Sequence, residues 1–448
     1  MIERRGFGTT IEPPSPQISS RLSMDDIPWN KLHLLAAICT LGGTTLDGYI
    51  LGLSGAAISG AKKEMAFGAL SAGLIGASAL IGIFIGGLLF GQAADRWGRR
   101  PVFQWNLVAF VILSVAQLFT VGVWDLVACR IALGLAIGVE YAVGAALLSE
   151  FVPTRFRGAL LATLQAIWIA GFVVANIVGY LMPSGDWRVL LATSAIPAVF
   201  VAILRYWLPE SPRWLASRGR VAEAEKILAE RFPAGTTLPE GLDVDTSRAK
   251  FSELFQKDTW RSAAYAGIFW GAQVGPLFAI FTFVTPTLDA IGLPGGTARD
   301  YGLNFLQLAG ALVFIWIVAK WGRRPVVIYT FGIMLVALLL LGVIPNSSTG
   351  AGLLLTVVFG IYLAVAAGSA NLEFVYPSEM FPTRLRSTGV GFAAAMSRLA
   401  AAVAVYLLPL ALDRFGGSTA ILMTAIFPLI GLVASIAWAR ETKDSRLV

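Results

Sequence analysis

Histidine is almost missing from this 448-residue chain: His33 stands alone, so neither a Ser-His-Asp triad nor a multi-histidine metal site can be assembled. Cysteine is nearly as scarce. Cys39 and Cys129 both fall inside apolar stretches, giving no disulfide framework and no metal spacing, and read as buried, inert thiols. No GxxxxGK[ST] loop occurs, nor any Gly-Lys dipeptide, which excludes ATP hydrolysis on a P-loop. With no nucleophile-base pair or metal cluster, the chain reads as a non-enzyme without cofactor or metal. Its first 30 residues are polar, Pro/Ser-rich and free of a signal-peptide pattern. Charge is low as well: 14% of residues are charged, against about a quarter in an ordinary soluble chain. A soluble globule is thereby excluded.

Apolar residues take up the difference, at 56% of the chain with a mean hydropathy of +0.73. Runs such as Leu74–Gly91 and Gly352–Gly368 are long and uninterrupted, whereas strands of a membrane barrel alternate over about ten residues. Helices therefore cross the bilayer, each needing roughly 20 apolar residues. Spans are expected near 33–58, 70–93, 101–121, 124–147, 158–181, 187–208, 262–288, 300–319, 325–345, 351–374, 387–409 and 418–438. The predicted fold is an all-α polytopic membrane protein of twelve transmembrane helices in two pseudo-symmetric six-helix bundles. Its divisions are an N-terminal tail (1–32), a first bundle (33–208), a central loop with short amphipathic helices (209–261), a second bundle (262–438) and a C-terminal tail (439–448).

The net charge of +7 invites a nucleic-acid reading, but placement decides otherwise. Of the 34 Lys and Arg residues, 26 fall in the tails and in alternate loops. Such excess marks the cytoplasmic side, so both termini and the central loop are expected there, in a bacterial cytoplasmic membrane. Topology accounts for the charge, and nucleic acid is not a partner.

The two halves repeat each other. DRWGRRPV (95–102) returns as AKWGRRPV (319–326), and SEFVPTRFRG (149–158) as SEMFPTRLRS (378–387). Parallel repeats of six spans belong to transporters that bind substrate between the halves near the bilayer midplane. These stretches, with PESPRWL (209–215) and ETK (441–443), resemble the major facilitator superfamily, in its sugar-porter and organic-ion branch. MDDIPWN (24–30), LDGYILGLSGAAI (46–58), GVEYAVGAALLSEF (138–151) and GVGFAAAMSRLAAA (389–402) resemble bacterial inner-membrane metabolite transport proteins. The resemblance implies a proton-coupled transporter of a small molecule, taken here as a monomer in the lipid bilayer.

An ionisable group in mid-membrane needs a partner, a wet cavity or a function. Asp47 on span one and Arg130 on span four lie at similar depth, which allows either a structural ion pair or a proton carrier whose protonation follows the movement of Arg130. Glu140, ten residues beyond Arg130, is either a second proton site or a hydrogen-bond partner of Tyr141 or a neighbouring helix. The resemblance to proton-coupled phosphate members, through TLDGY and GVEY, implies proton and substrate sites at Asp47 and Glu140. Arg398 on span eleven can grip a carboxylate with two parallel hydrogen bonds; otherwise it pairs with Glu373 or caps backbone carbonyls. Similarity of MSRLAA to organic-anion and nicotinate transporters implies anion recognition there. Gln165, Trp168, Trp270, Gln273, Phe278, Phe281, Asn371 and Tyr141 complete an expected substrate pocket. AQVGPLFAIF (272–281) stands where sugar porters carry QQxSGxN, and Ile50 where they carry an acid, which weakens the case for a sugar. At the inner helix ends, Asp95, Arg99, Arg100, Glu150, Arg157, Glu210, Arg213, Glu379 and Arg386 form an expected cytoplasmic gate. The resulting expectation is proton-coupled uptake of a small organic acid. Sugar or polyol symport, efflux and a nutrient sensor are the alternatives.

Overall fold

A computed structural model describes residues 22–182, 186–238, 251–257, 259–293, 297–344, 351–382 and 385–442. The first half comprises α1 (Lys31–Gly52), α2 (Ser54–Met65), α3 (Ala69–Trp97), α4 (Arg99–Ala116), α5 (Val123–Phe151), α6 (Thr154–Leu181), α7 (Trp187–Ala192) and α8 (Ala195–Tyr206). Two short helices follow, α9 (Pro212–Ser217) and α10 (Val221–Arg231). The second half comprises α11 (Trp260–Thr282), α12 (Val284–Ala290), α13 (Thr297–Lys320), α14 (Arg323–Val343), α15 (Ala351–Ser369), α16 (Leu372–Met380), α17 (Arg386–Thr424) and α18 (Ile426–Trp438).

Among the described residues, ten helical stretches are long and apolar enough to cross a membrane. One of them, Thr388–Trp438, is broken at Gly416, whose φ of +77° is open to glycine and strained for other residues. Gly302–Val318 adds a shorter apolar helix. Together they make twelve crossings. Some spans are segmented where a single helix was expected: span one bends at Leu53, and span seven carries Pro276 and ends at Phe283 before α12. Proline removes a ladder hydrogen bond and crowds the preceding turn, which localises such breaks.

Glycine sets the tightest packing. A Cβ on Gly138 of α5 would lie 2.5 Å from the Gly87 nitrogen and 2.8 Å from the Gly86 Cα of α3. Bare backbones touch there, in the way small residues let membrane helices approach.

Residues 22–27 are held in place more firmly than their polar composition suggests. Leu22–Ser23 (β1) pairs in parallel with Thr236–Thr237 (β2), while Met24 and Ile27 are fully buried. Asp25 accepts hydrogen bonds from the Thr154 hydroxyl (2.8 Å) and Arg157 (2.8 Å), and pairs with Arg213. Partial burial pushes the Asp25 carboxyl upward, but Thr154, Arg213 and Arg157 together outweigh it and hold the group below its ordinary value. Its contribution is therefore present above the ordinary carboxylate pKa and is lost as pH falls through the lowered folded value. Asp25→Asn is expected to speed amide exchange of residues 22–27 several-fold at neutral pH, with acidification of the wild type acting in the same direction. Unchanged exchange in both cases would mean that Met24 and Ile27 alone anchor the strap.

Candidate functional site

Between the halves, aromatic and apolar side chains meet on the side remote from the termini. Trp168 and Phe172 of α6 pack against Phe278 and Phe281 of α11, with ring centroids 5.6 Å and 4.9 Å apart respectively. A Cβ on Gly76 would lie 2.8 Å from Val405 of α17, and one on Gly73 would collide with the Tyr406 carbonyl. Asn176 donates to Asn304 at 3.5 Å. The gap lined by Leu51, Ser54, Trp168, Phe172, Phe278 and Phe281, among others, holds about 10 Å³, enough for roughly one water. Three expected pocket residues, Trp168, Phe278 and Phe281, thus form part of a closed seam.

On the side of the termini, charges pair within each half. Arg99 meets Glu150 at 2.6 Å, and Glu210 accepts from the Arg100 amide at 3.1 Å. Arg157 and Arg213 both meet Asp25, which sequence reasoning passed over. In the second half Arg323, also unanticipated, binds Glu379 at 2.9 Å, and Thr442 donates to the same carboxylate. These pairs do not bridge the halves. The side chains of Asp95 and Arg386 lie outside the described residues. A bulky residue at Gly73, as in Gly73→Leu, is expected to prise the remote seam apart and raise thiol labelling of a Phe281→Cys reporter several-fold; equal labelling would show that the seam is not conformationally coupled.

Among the described residues, six buried acidic and arginine side chains of the spans, Asp47, Arg130, Glu140, Arg205, Glu373 and Arg398, have distinct surroundings. Arg130 donates to the Ile75 carbonyl (3.1 Å) and the Ser54 hydroxyl (2.5 Å). The expected pair with Asp47 is not formed, because the guanidinium points along α3 and the α1–α2 bend. Glu140 is held by Arg205 at 2.5 Å and by Asn106 at 3.1 Å, so the neighbouring-helix alternative describes its contacts. Arg205 also binds the carbonyls of Cys39 and Phe103 and lies 3.3 Å from the Phe103 ring centroid, joining α1, α4, α5 and α8. Arg205 and Asn106 were not anticipated as site residues, although Arg205 near the end of an apolar span was itself a signal.

Asp47 is 2% exposed and one of its oxygens has no hydrogen-bond partner; its charged neighbours are Glu140, Arg205 and Arg398. Arg398 of α17 lies over the Tyr141 ring (4.7 Å) from the opposite half and near Phe278 (5.4 Å), contacts worth about 0.5–2 kcal/mol each. Glu373 of α16 faces Trp270, Gln273 and Arg398. The junction thus brings Asp47, Tyr141, Arg398, Glu373, Trp270 and Gln273 together. Asn371 donates to the Ala311 carbonyl at 2.7 Å, and Gln273 to that of Ala366 at 3.1 Å; the remaining amide oxygen of each accepts nothing. Gln165 lies half-buried on α6, three residues from Trp168. Among the described residues no cluster of His, Cys, Asp and Glu suits a metal.

Comparison with known proteins agrees with this architecture. The family model described as "Sugar (and other) transporter" matches residues 35–447. The inner membrane metabolite transport protein YgcS of Escherichia coli is 36% identical, over 96% of each chain. The putative metabolite transport protein YaaU of the same organism is 33% identical, over 95% of this chain and 96% of its own. A cis,cis-muconate transport protein of Acinetobacter baylyi is 28% identical, over 84% of this chain and 86% of its own. Among solved structures, a partially occluded inward open conformation of the E. coli xylose transporter XylE superposes with a TM-score of 0.77 at 22% identity. It covers 93% of this chain and 100% of that one, and at that identity the likeness speaks for the fold.

Proposed function

The chain belongs to the sugar (and other) transporter family of the major facilitator superfamily, and from that premise we propose that it imports a small organic acid together with protons by alternating access. It works as a monomer in the bacterial inner membrane, with the termini in the cytoplasm where the Lys/Arg excess lies. The observation that carries the reading is Arg398, buried between the halves and stacked on Tyr141 of the opposite half. A permanent guanidinium there suits a carboxylate. The muconate transport protein among the relatives supports a carboxylate cargo.

Charge balance supplies the coupling. Arg398 is flanked by Asp47 of the first half and Glu373 of the second, while Glu140 already has Arg205. A substrate carboxylate that engages Arg398 adds a negative charge to a poorly solvated site, and an unmatched charge there is costly. A proton on Asp47, one of whose oxygens lacks a partner, offsets that added charge. Loading and proton binding then favour closure together. Among the described residues the charge pairs on the side of the termini stay within their own halves while the remote seam is closed, which supports reading this arrangement as the cytoplasm-facing member of the cycle.

The test is reconstitution in liposomes with a panel of aromatic acids, sugar acids, short monocarboxylates, neutral sugars and organic cations. Acids are expected to alkalinise the outside on uptake, with a proton for each unit of substrate charge and so no steady current. Arg398→Ala is expected to weaken acid binding about tenfold to a hundredfold, the loss of a charge-assisted contact of 1.5–3 kcal/mol. A response to sugars alone, indifferent to Arg398→Ala, would reject the acid reading. Sugar symport remains second because the unfilled amide oxygens of Gln273 and Asn371 suit hydroxyl donors.

A further inference from the structure

Away from the transport path, a cavity of about 180 Å³ opens on the side of the termini among the ends of four helices of the second half. Arg261 and Tyr265 come from the first turns of α11, Arg324 from the start of α14, Met380 from the end of α16, Trp438 from the end of α18, and Arg440 from just beyond it. Three guanidinium groups thus share one cavity. Among the described residues none of the three is in an ion pair with a carboxylate. The nearby acids are engaged elsewhere: Glu379 binds Arg323 and Thr442, and Glu441 accepts from the backbone amides of Arg323 and Arg324. Arg324 also reaches across to the Ile436 carbonyl at 3.4 Å, which ties α14 to α18 beside the cavity. The N-termini of α11 and α14, each more than 20 residues long, add their positive dipole ends to the same place.

The level in the membrane is marked by tryptophan. Trp260 and Trp438 pack edge to face at 6.1 Å and both are partly exposed, at 39% and 37%. Indoles collect at the headgroup level, and Ile436, 56% exposed, continues an apolar wall from the cavity towards the bilayer core. We propose that this cavity binds the phosphodiester headgroup of an anionic phospholipid, with its acyl chains lying along α18. The three arginines and two helix termini meet the phosphate, and the Ile436–Trp438 edge meets the glycerol and upper chains. The adjoining apolar wall favours a lipid over free phosphate. This site is independent of the cargo and of the coupling scheme.

The test is native mass spectrometry of the detergent-purified full chain titrated with phosphatidylglycerol, phosphatidylcholine or inorganic phosphate. Phosphatidylglycerol is expected to be retained and phosphatidylcholine not. At about 1 kcal/mol for each basic residue near an anionic headgroup, the triple variant R261Q/R324Q/R440Q should bind phosphatidylglycerol about a hundredfold more weakly. The single variant Arg440→Gln should bind about fivefold more weakly, which keeps the test open if the triple variant folds poorly. Arg220→Gln, an exposed arginine outside the cavity, should bind as wild type. Equal retention by wild type and Arg440→Gln overturns the site. Displacement of the lipid by millimolar inorganic phosphate would overturn the lipid assignment in favour of a soluble anion.

Discussion

Arg205→Met, with Glu140 left in place, is expected to destabilise the protein by about 3–5 kcal/mol, because it strands a buried carboxylate without its cation. Arg205 is fully buried and Glu140 3% exposed, and the guanidinium bonds not only Glu140 but the carbonyls of Cys39 and Phe103. Four helices lose a common fastening in one substitution. The measurement is thermal unfolding of the purified protein in detergent. The double variant E140Q/R205M should recover much of the loss, since removing both charges also removes the desolvation cost that the pair offsets. Gly43→Ala should act in the same direction without removing a charge, because its Cβ would land on Glu140 Oε1 and Arg205 Nη2 and push the pair apart. A single Arg205→Met variant that melts like wild type would show that the pair does not hold the first half together.

The second large effect concerns coupling. Asp47→Asn is expected to abolish accumulation of substrate against a gradient while leaving exchange of labelled for unlabelled substrate intact. The amide occupies the same volume but carries no charge, so substrate can arrive at Arg398 without a proton and leave without one. No proton is then taken up or released with the substrate, so the proton gradient has nothing to act on. The readout is the steady-state ratio of substrate inside and outside proteoliposomes under an imposed pH gradient, set beside the exchange rate. If Asp47→Asn accumulates substrate like wild type, the proton role passes to Glu373, the other carboxylate beside Arg398. Loss of both accumulation and exchange would place Asp47 in substrate binding instead.

The twelve spans, the repeat and the sidedness of the basic residues are legible in the sequence because the bilayer writes them there. Span length is fixed by bilayer thickness, and Lys and Arg are sorted by loop. Depth is legible too, since each residue advances a helix by about 1.5 Å, and that is how Asp47, Glu140 and Arg398 stand out as intramembrane charges. Rotation about the helix axis is not. Helix spacing puts Asp47 and Arg130 at one level, yet Arg130 meets Ser54, seven residues beyond Asp47 on the first span, and Ile75 of α3. Glu140 takes its cation from Arg205, 65 residues away, and Arg398 finds Tyr141 across the junction.

The same limit explains the seam and the strap. Trp168, Phe278 and Phe281 have the composition of a pocket wall, but whether they line a cavity or close one depends on how the two halves are tilted in a given state. Asp25 and Met24 sit in a polar tail and give no periodic signal, because their partners, the start of α6, α9 and β2, are brought beside the tail only by tertiary packing. Sequence by itself determined the membrane class, the number and order of spans and the intramembrane charges, all of which follow from local hydrophobicity and spacing. Tertiary structure alone decided which charges face one another, since azimuth and tilt are set by close packing at sites such as Gly43, Gly73 and Gly138, where backbone and side-chain atoms of other helices occupy the room a Cβ would need.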